Sequence, residues 1–221
     1  MDIKKNYQAI CESLAQQSSD ADIIAVSKKL PIKTIKEAYE AGIEHFGENY
    51  LQEAIEKIQA LKDLKICWHY IGSIQSNKTK GIAQYFDWVH SVDSLKIAQK
   101  LNRHRQGAPS PLKTLVMVNI DHSPSKSRIL PGPELDSLLA YIHEAAHLEL
   151  CGLMCMPDLH TPHKQGYFFQ AMQKLQGHYQ AQFGSCMQHL SMGTSQDYLI
   201  AAMHGATMLR LGTCLLGPRP A

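Results

Sequence analysis

Short apolar, β-branched runs alternate along this chain with longer stretches whose apolar side chains recur every three or four positions. The first pattern is that of buried strands and the second that of amphipathic helices. Strands are predicted over residues 23–26, 43–47, 66–71, 86–90, 112–120, 148–154, 189–192 and 207–211. Helices are predicted over 4–17, 32–41, 49–61, 93–105, 134–147, 164–182 and 195–204, with one more ending near Tyr85. Gly42 reads as a C-terminal cap. Asn49, Asp93 and Ser195 read as N-terminal caps.

Strict alternation of strand and helix implies a parallel sheet. Eight such strands imply a closed (β/α)8 TIM barrel, and 221 residues suit the compact end of that fold. A doubly wound open sheet is the alternative if one strand is miscounted. Little sequence remains for an eighth helix after Gly217, so the extra N-terminal helix is expected to pack in its place. No linker or low-complexity segment divides residues 1–221, which read as one domain.

Composition narrows the class. Apolar residues make up 44% of the chain and the net charge is +2, with no basic block or acidic tail. Nucleic-acid binding is therefore not suggested. The N-terminus MDIKKNYQAI lacks the apolar core of a secretory signal, and no run reaches membrane-spanning length. Six scattered cysteines read as reduced thiols of a cytoplasmic protein. A monomer is expected.

In such a barrel the chemistry lies just beyond each strand. The first strand, in DIIAVSKKL, runs straight into Lys28 and Lys29. A lysine half-sunk beside a second cation has its charged form disfavoured. Its free amine could then form a Schiff base with a carbonyl ligand. From this stretch alone, two solvated charges flanking a strand is the plainer reading. Strands seven and eight lead to Ser191, Gly193, Thr194, Ser195, Gly212 and Thr213. These resemble a phosphate cradle in the loops where this fold usually keeps one. Taken singly, each glycine reads as an ordinary turn. Arg210 alternates with Leu209 and Leu211 and so faces the opposite side, into the barrel mouth. A buried guanidinium needs an acceptor, and a ring nitrogen could be one. Lysine, phosphate cradle and cation together describe a pyridoxal phosphate site.

AVSKK, FGENYLQEA, WHYIGSIQSNK, the SKS of residues 125–127, GLMCMP, LSMGTS and MLRLGTCLLG follow one another in an order that resembles the pyridoxal phosphate homeostasis protein family. The likeness runs from about Ile24 to Pro218. It implies a barrel of the alanine racemase N-terminal domain type that binds pyridoxal 5′-phosphate through Lys28. It also implies Arg210 opposite the pyridine nitrogen and Ser191, Gly193, Gly212 and Thr213 at the phosphate. Asn49 and Met192 would line the ring, with His69 a neighbour. The implied role is control of free pyridoxal phosphate (vitamin B6) and, indirectly, of amino-acid and keto-acid pools, with apo pyridoxal phosphate enzymes as recipients. The chain departs from the family pattern at Arg128, Ser73, Gln196 and Asp197. These changes leave the cofactor site intact but put a role for Lys126 in doubt.

An arginine at the ring nitrogen disfavours ring protonation and weakens carbanion chemistry. A second base, supplied in racemases by a further domain, is not expected here. A holding protein without robust turnover is the reading. The alternative is a small amino-acid racemase, with Tyr70 or His69 as the missing base. HEAAH at His143–His147 matches a zinc-protease pattern. No glutamate follows Glu149, however, so a distant third ligand is lacking and the match is discounted. His160 and His163 with Cys151 and Cys155, two cysteines expected on one strand face, fit no common zinc spacing.

Overall fold

The computed structural model describes residues 2–122, 129–158 and 165–218. Its eight strands form one closed parallel barrel in sequence order. They are β1 (Asp22–Val26), β2 (His45–Glu48), β3 (Cys67–Tyr70), β4 (Trp88–Val92), β5 (Leu112–Met117), β6 (Leu148–Met154), β7 (His189–Ser191) and β8 (Met208–Leu211). Closure is made by β1 on β8, with Ile24 opposite Arg210. The open-sheet alternative is thereby set aside.

Side chains alternate between two apolar layers, as a pleated strand requires. Ala25, Phe46, Trp68, Val89, Leu153, Leu190, Leu209 and Leu211 point outward into the shell beneath the helices. Ile24, Trp88, Leu115, Cys151, Met154 and Met208 point inward and fill the bore. The helices are α1 (Ile3–Gln16), α2 (Ile32–Glu40), α3 (Leu51–Ala60), α4 (Thr79–Tyr85), α5 (Leu95–Arg105), α6 (Pro133–Glu144), α7 (Gln165–Phe183), α8 (Tyr198–Met203) and α9 (Thr213–Leu216). Among the described residues, no helix is long and apolar enough to cross a membrane.

The extra helix α1 packs against α9, α8 and α2, where an eighth helix would lie. Its apolar face buries Ile3, Ile10 and Leu14, and Asn6 Nδ2 donates to the Leu215 carbonyl at 3.0 Å. Asn6→Ala removes that clip and is expected to cost about 1 kcal/mol, read as a lowered urea midpoint at unchanged m-value.

Several boundaries differ from expectation for local reasons. Gly42, at φ +98°, does cap α2. The Gly42 N–H bonds Tyr39 O and the Ile43 N–H bonds Ala38 O, so Ile43 belongs to the cap and not to the strand. Phe86 closes α4, which moves β4 two residues on from the expected start. Asn49 and Ser195 do not cap helices: α3 starts after Tyr50 and α8 after Asp197. A register shift opposite Thr114 and Leu115 meets Gly152 at φ +149°. A Cβ there would lie 1.9 Å from His189 O, so only glycine fits. The bulge breaks the alternation. Cys151 faces the bore while Cys155 joins the outer layer, which overturns their expected common face.

Candidate functional site

A pocket of ≈ 400 Å³ opens at the C-terminal mouth of the barrel, a volume suited to a small ligand. Lys28 lines it, presented by a tight turn at the end of β1. The Leu30 N–H closes this turn on Ser27 O at 3.0 Å, and Lys29 takes φ +60°. Lys28 is half-buried and Lys29 exposed. The turn is anchored from below. Lys57 Nζ donates to Ser27 O at 2.8 Å and to Glu48 Oε1 at 2.7 Å, and Ser27 Oγ donates to the same carboxyl oxygen at 2.7 Å.

Arg210 forms the pocket's inner wall. It is almost wholly buried. Its Nη1 donates to Ser191 Oγ at 2.6 Å and its Nη2 to Cys155 O at 2.9 Å. Burial lowers its pKa from the usual value, with opposing pulls from Cys155 and Asp197. No carboxylate among the described residues pairs with it. A cation held by neutral partners at a pocket wall leaves room for an acceptor from a ligand. Asn49 also lines the pocket, and its Oδ1 is buried without a hydrogen-bond partner among the described residues. Gly212, Thr213, Thr194 and Ser195 complete the polar rim. Ser195 Oγ accepts from Gly212 N at 3.1 Å and from Cys214 N at 3.4 Å. Asp197 Oδ1 fixes the adjoining loop by accepting from the Thr194 N–H and Oγ1–H at 2.6 and 2.9 Å.

The structure therefore brings Lys28, Asn49, Arg210, Gly212 and Thr213 together around one cavity. It places the other expected residues elsewhere. Ser191 lies in the bore beneath Arg210 and supports it. Met192 is fully buried in the outer layer. Gly193, at φ +90°, is held to glycine by packing, since a Cβ would sit 2.6 Å from Ala201 Cβ. Its carbonyl accepts from the Arg210 N–H at 3.1 Å. His69 lies deeper in the bore. Ile71 and Met156 also line the pocket and were not singled out by sequence, and Gln196, named there only as a departure from the family pattern, lines it too. A search for polar groups after each strand passes over apolar walls. Lys126, His160 and His163 lie outside the described residues.

His69 belongs to a thread of rings along the bore. His45 Nδ1 meets His69 Nε2 at 2.9 Å, His69 Nδ1 meets His90 Nε2 at 2.9 Å, and His90 Nδ1 meets Ser191 Oγ at 2.9 Å. Burial holds His69 and His90 well below the usual histidine range. His90 and His45 add to this at His69, and Arg210 adds to it at His90. Both rings are neutral. Tyr70 is buried in the outer layer with its hydroxyl on Ser73 O at 3.2 Å, and burial pushes its pKa up to about 12. Neither of the suggested racemase bases faces the pocket. The HEAAH helix ends at Glu144. His147 lies beyond it, its N–H on Asn102 Oδ1 at 2.9 Å, and His143 packs on Phe183. The two histidines do not share a helical face.

Comparison with known proteins adds to this geometry. Residues 2–220 match the family model of the alanine racemase N-terminal domain. A pyridoxal phosphate homeostasis protein of Pasteurella multocida is 40% identical over 98% of this chain and 94% of its own length. One from Escherichia coli K12 is 34% identical over 98% and 94%. The solved structure of PipY from Synechococcus elongatus, with pyridoxal phosphate bound, is 33% identical. It superposes with a TM-score of 0.87 over 97% of this chain and all of that one.

Proposed function

Because this chain belongs to the alanine racemase N-terminal domain family, and within it to the pyridoxal phosphate homeostasis proteins, we propose that it binds pyridoxal 5′-phosphate through Lys28 and serves to hold and hand on the cofactor. The observation that carries this reading is Arg210 across one pocket from Lys28, buried and with no carboxylate paired to it among the described residues. When bound, the cofactor supplies an aldehyde for a lysine Schiff base and an electron-withdrawing ring.

Each residue then has a task. The turn at Ser27–Leu30 aims the Lys28 amine into the mouth. Arg210 presents N–H donors to an unprotonated ring nitrogen and holds no proton acceptor there. The orphaned Asn49 Oδ1 asks for a donor from the ligand. The Ser195 and Thr213 hydroxyls offer donors to a phosphate at the Gly212 turn, and Gly193 and Ser191 hold Arg210 in place. An arginine at the ring nitrogen opposes the ring protonation that strong carbanion chemistry uses. That arrangement supports holding rather than turnover. Through the free cofactor supply, such a protein acts indirectly on amino-acid and keto-acid pools.

The test is transfer. Protein loaded with pyridoxal phosphate is mixed with an apo pyridoxal phosphate enzyme, and its reactivation is followed alongside racemase assays on several amino acids. Reactivation at least as fast as with an equal amount of free cofactor, with no racemisation, is expected. Steady racemisation by the protein alone would replace this reading with the enzymatic one.

A further inference from the structure

The thread of rings ends, at the opposite face of the barrel from the cofactor pocket, in three side chains of metal-binding type. We propose that His45 Nδ1, Cys67 Sγ and His69 Nε2 form a metal site for a borderline-soft divalent cation of the Zn2+ class. The three atoms lie within 4.8 Å of one another, the one such grouping among the described residues. The His45–His69 nitrogens are 2.9 Å apart, and Cys67 Sγ lies 3.5 Å from His69 Nε2. Tetrahedral zinc, with bonds of about 2.0–2.1 Å to nitrogen and 2.3 Å to sulfur, needs ligand separations only slightly wider than these.

Parallel pairing makes the arrangement. His45 and Cys67 are the first residues of β2 and β3 and stand opposite each other in register. Cys67 and His69 are two apart on one strand and share its inward face. A one-residue slip of β3 would turn both away. A thiolate and two imidazoles suit zinc and its neighbours rather than calcium or magnesium.

The surroundings fit a metal as well. Metal-bound histidine almost always donates its other ring N–H to a fixed partner. With the cation on Nε2, His69 Nδ1–H donates to His90 Nε2. His90 Nδ1–H then donates to Ser191 Oγ, which accepts from Arg210 as well, as a hydroxyl with two lone pairs can. Trp88 covers His69 with ring planes 13° apart and centroids at 5.6 Å. On the open side, Cys67 borders a cleft of ≈ 540 Å³ with Asp87, Glu149 and Lys113. The cleft gives an entry path and a fourth, solvent position. Burial pushes the Cys67 thiol up to about 12, with Asp87 and Asp22 adding to this and Lys113 opposing it, so it is the cation that draws off the proton. On binding, the metal–sulfur bond replaces the S–H bond and the proton leaves to solvent. No ring proton is lost: each neutral ring carries its single proton on the nitrogen away from the metal, His45 on Nε2 and His69 on Nδ1, and His90 carries its own on Nδ1. No electron is transferred.

The site does not depend on the cofactor reading, since neither Lys28 nor the mouth takes part. The test uses the tag-free, chelator-treated full chain and Co2+, followed by difference absorption. One equivalent of Co2+ is expected, with a thiolate-to-cobalt charge-transfer band and tetrahedral d–d bands, displaced by Zn2+. Cys67→Ser and His45→Gln should each weaken binding by more than the roughly 10–100-fold typical of losing an outer-shell partner, whereas Cys151→Ser should not. Zn2+ should also shield Cys67 of the wild type from alkylation, located by mass spectrometry, which decides the matter if a variant fails to fold. No charge-transfer band, no shielding of Cys67, or binding unchanged in both ligand variants would overturn the site.

Discussion

Lys57→Met is expected to destabilise the protein by about 3–5 kcal/mol, the usual cost of removing one partner of a buried ion pair. The Lys57 side chain is 6% exposed and that of Glu48 is fully buried, at 2.7 Å. Lys57 also bonds Glu53 at 2.6 Å and Ser27 O at 2.8 Å. Without the ammonium, Glu48 keeps only Ser27 Oγ as a donor, and its Oε2 already lacks one. Burial already raises the Glu48 pKa from its ordinary value, against the pull of Lys57 and Ser27. A carboxyl raised in the folded state binds more protons folded than unfolded, so stability falls as pH rises through that window. Loss of Lys57 widens the window, and the deficit of Lys57→Met should be largest near neutrality and shrink in acid. Urea unfolding at several pH values measures this. The double variant with Glu48→Gln should recover part of the loss, because no charge is then stranded. A deficit below about 1 kcal/mol, unchanged by pH, would show that the network does not hold the turn as described.

Lys28→Ala should abolish covalent capture and weaken cofactor uptake at least about tenfold, or about 1.4 kcal/mol. Arg210, Asn49, Ser195 and Thr213 remain in the pocket and should retain a weaker, reversible uptake. Lys29→Ala should bind as the wild type does. Lys29 is exposed and held by its backbone N–H on Glu53 Oε1 at 2.6 Å, so its amine has no place in the pocket. Titration of each variant with pyridoxal phosphate, followed by visible absorption, separates the two lysines. Equal loss in both variants would mean that adjacent positive charge, rather than one amine, captures the ligand.

How much of this was legible in the sequence depends on the range of the interaction. Strand runs such as Ile23–Val26 and the cap at Gly42 are local, and they yielded the barrel. Arg210 was legible because strand alternation tells which side chains point to the mouth; Lys28 stood out by its place at the end of the first strand and took its role from the resemblance of AVSKK, since the stretch alone reads as solvated charge. Asn49 was named as a helix cap by its residue type, yet α3 starts after Tyr50 and Asn49 lines the pocket. The Gly152 bulge was hidden because its cause is the backbone of His189, thirty-seven positions away. The ring thread was hidden for the same reason. His45, His69, His90 and Ser191 lie on four strands; parallel pairing brings the three histidines together, and closure of the barrel brings His90 to Ser191 across the bore. His69 was noticed as a neighbour of the cofactor, but its depth in the bore is set by barrel geometry. Ile71 and Met156 escaped because apolar residues after a strand look like any other core.

The central claim is that Lys28 carries the cofactor. Its most direct measurement is peptide mapping by mass spectrometry of the wild-type protein, reduced with borohydride after loading with pyridoxal phosphate. One phosphopyridoxyl group is expected, on the peptide containing Lys28. A label on another lysine, or no label from a protein that takes up the cofactor, would contradict it.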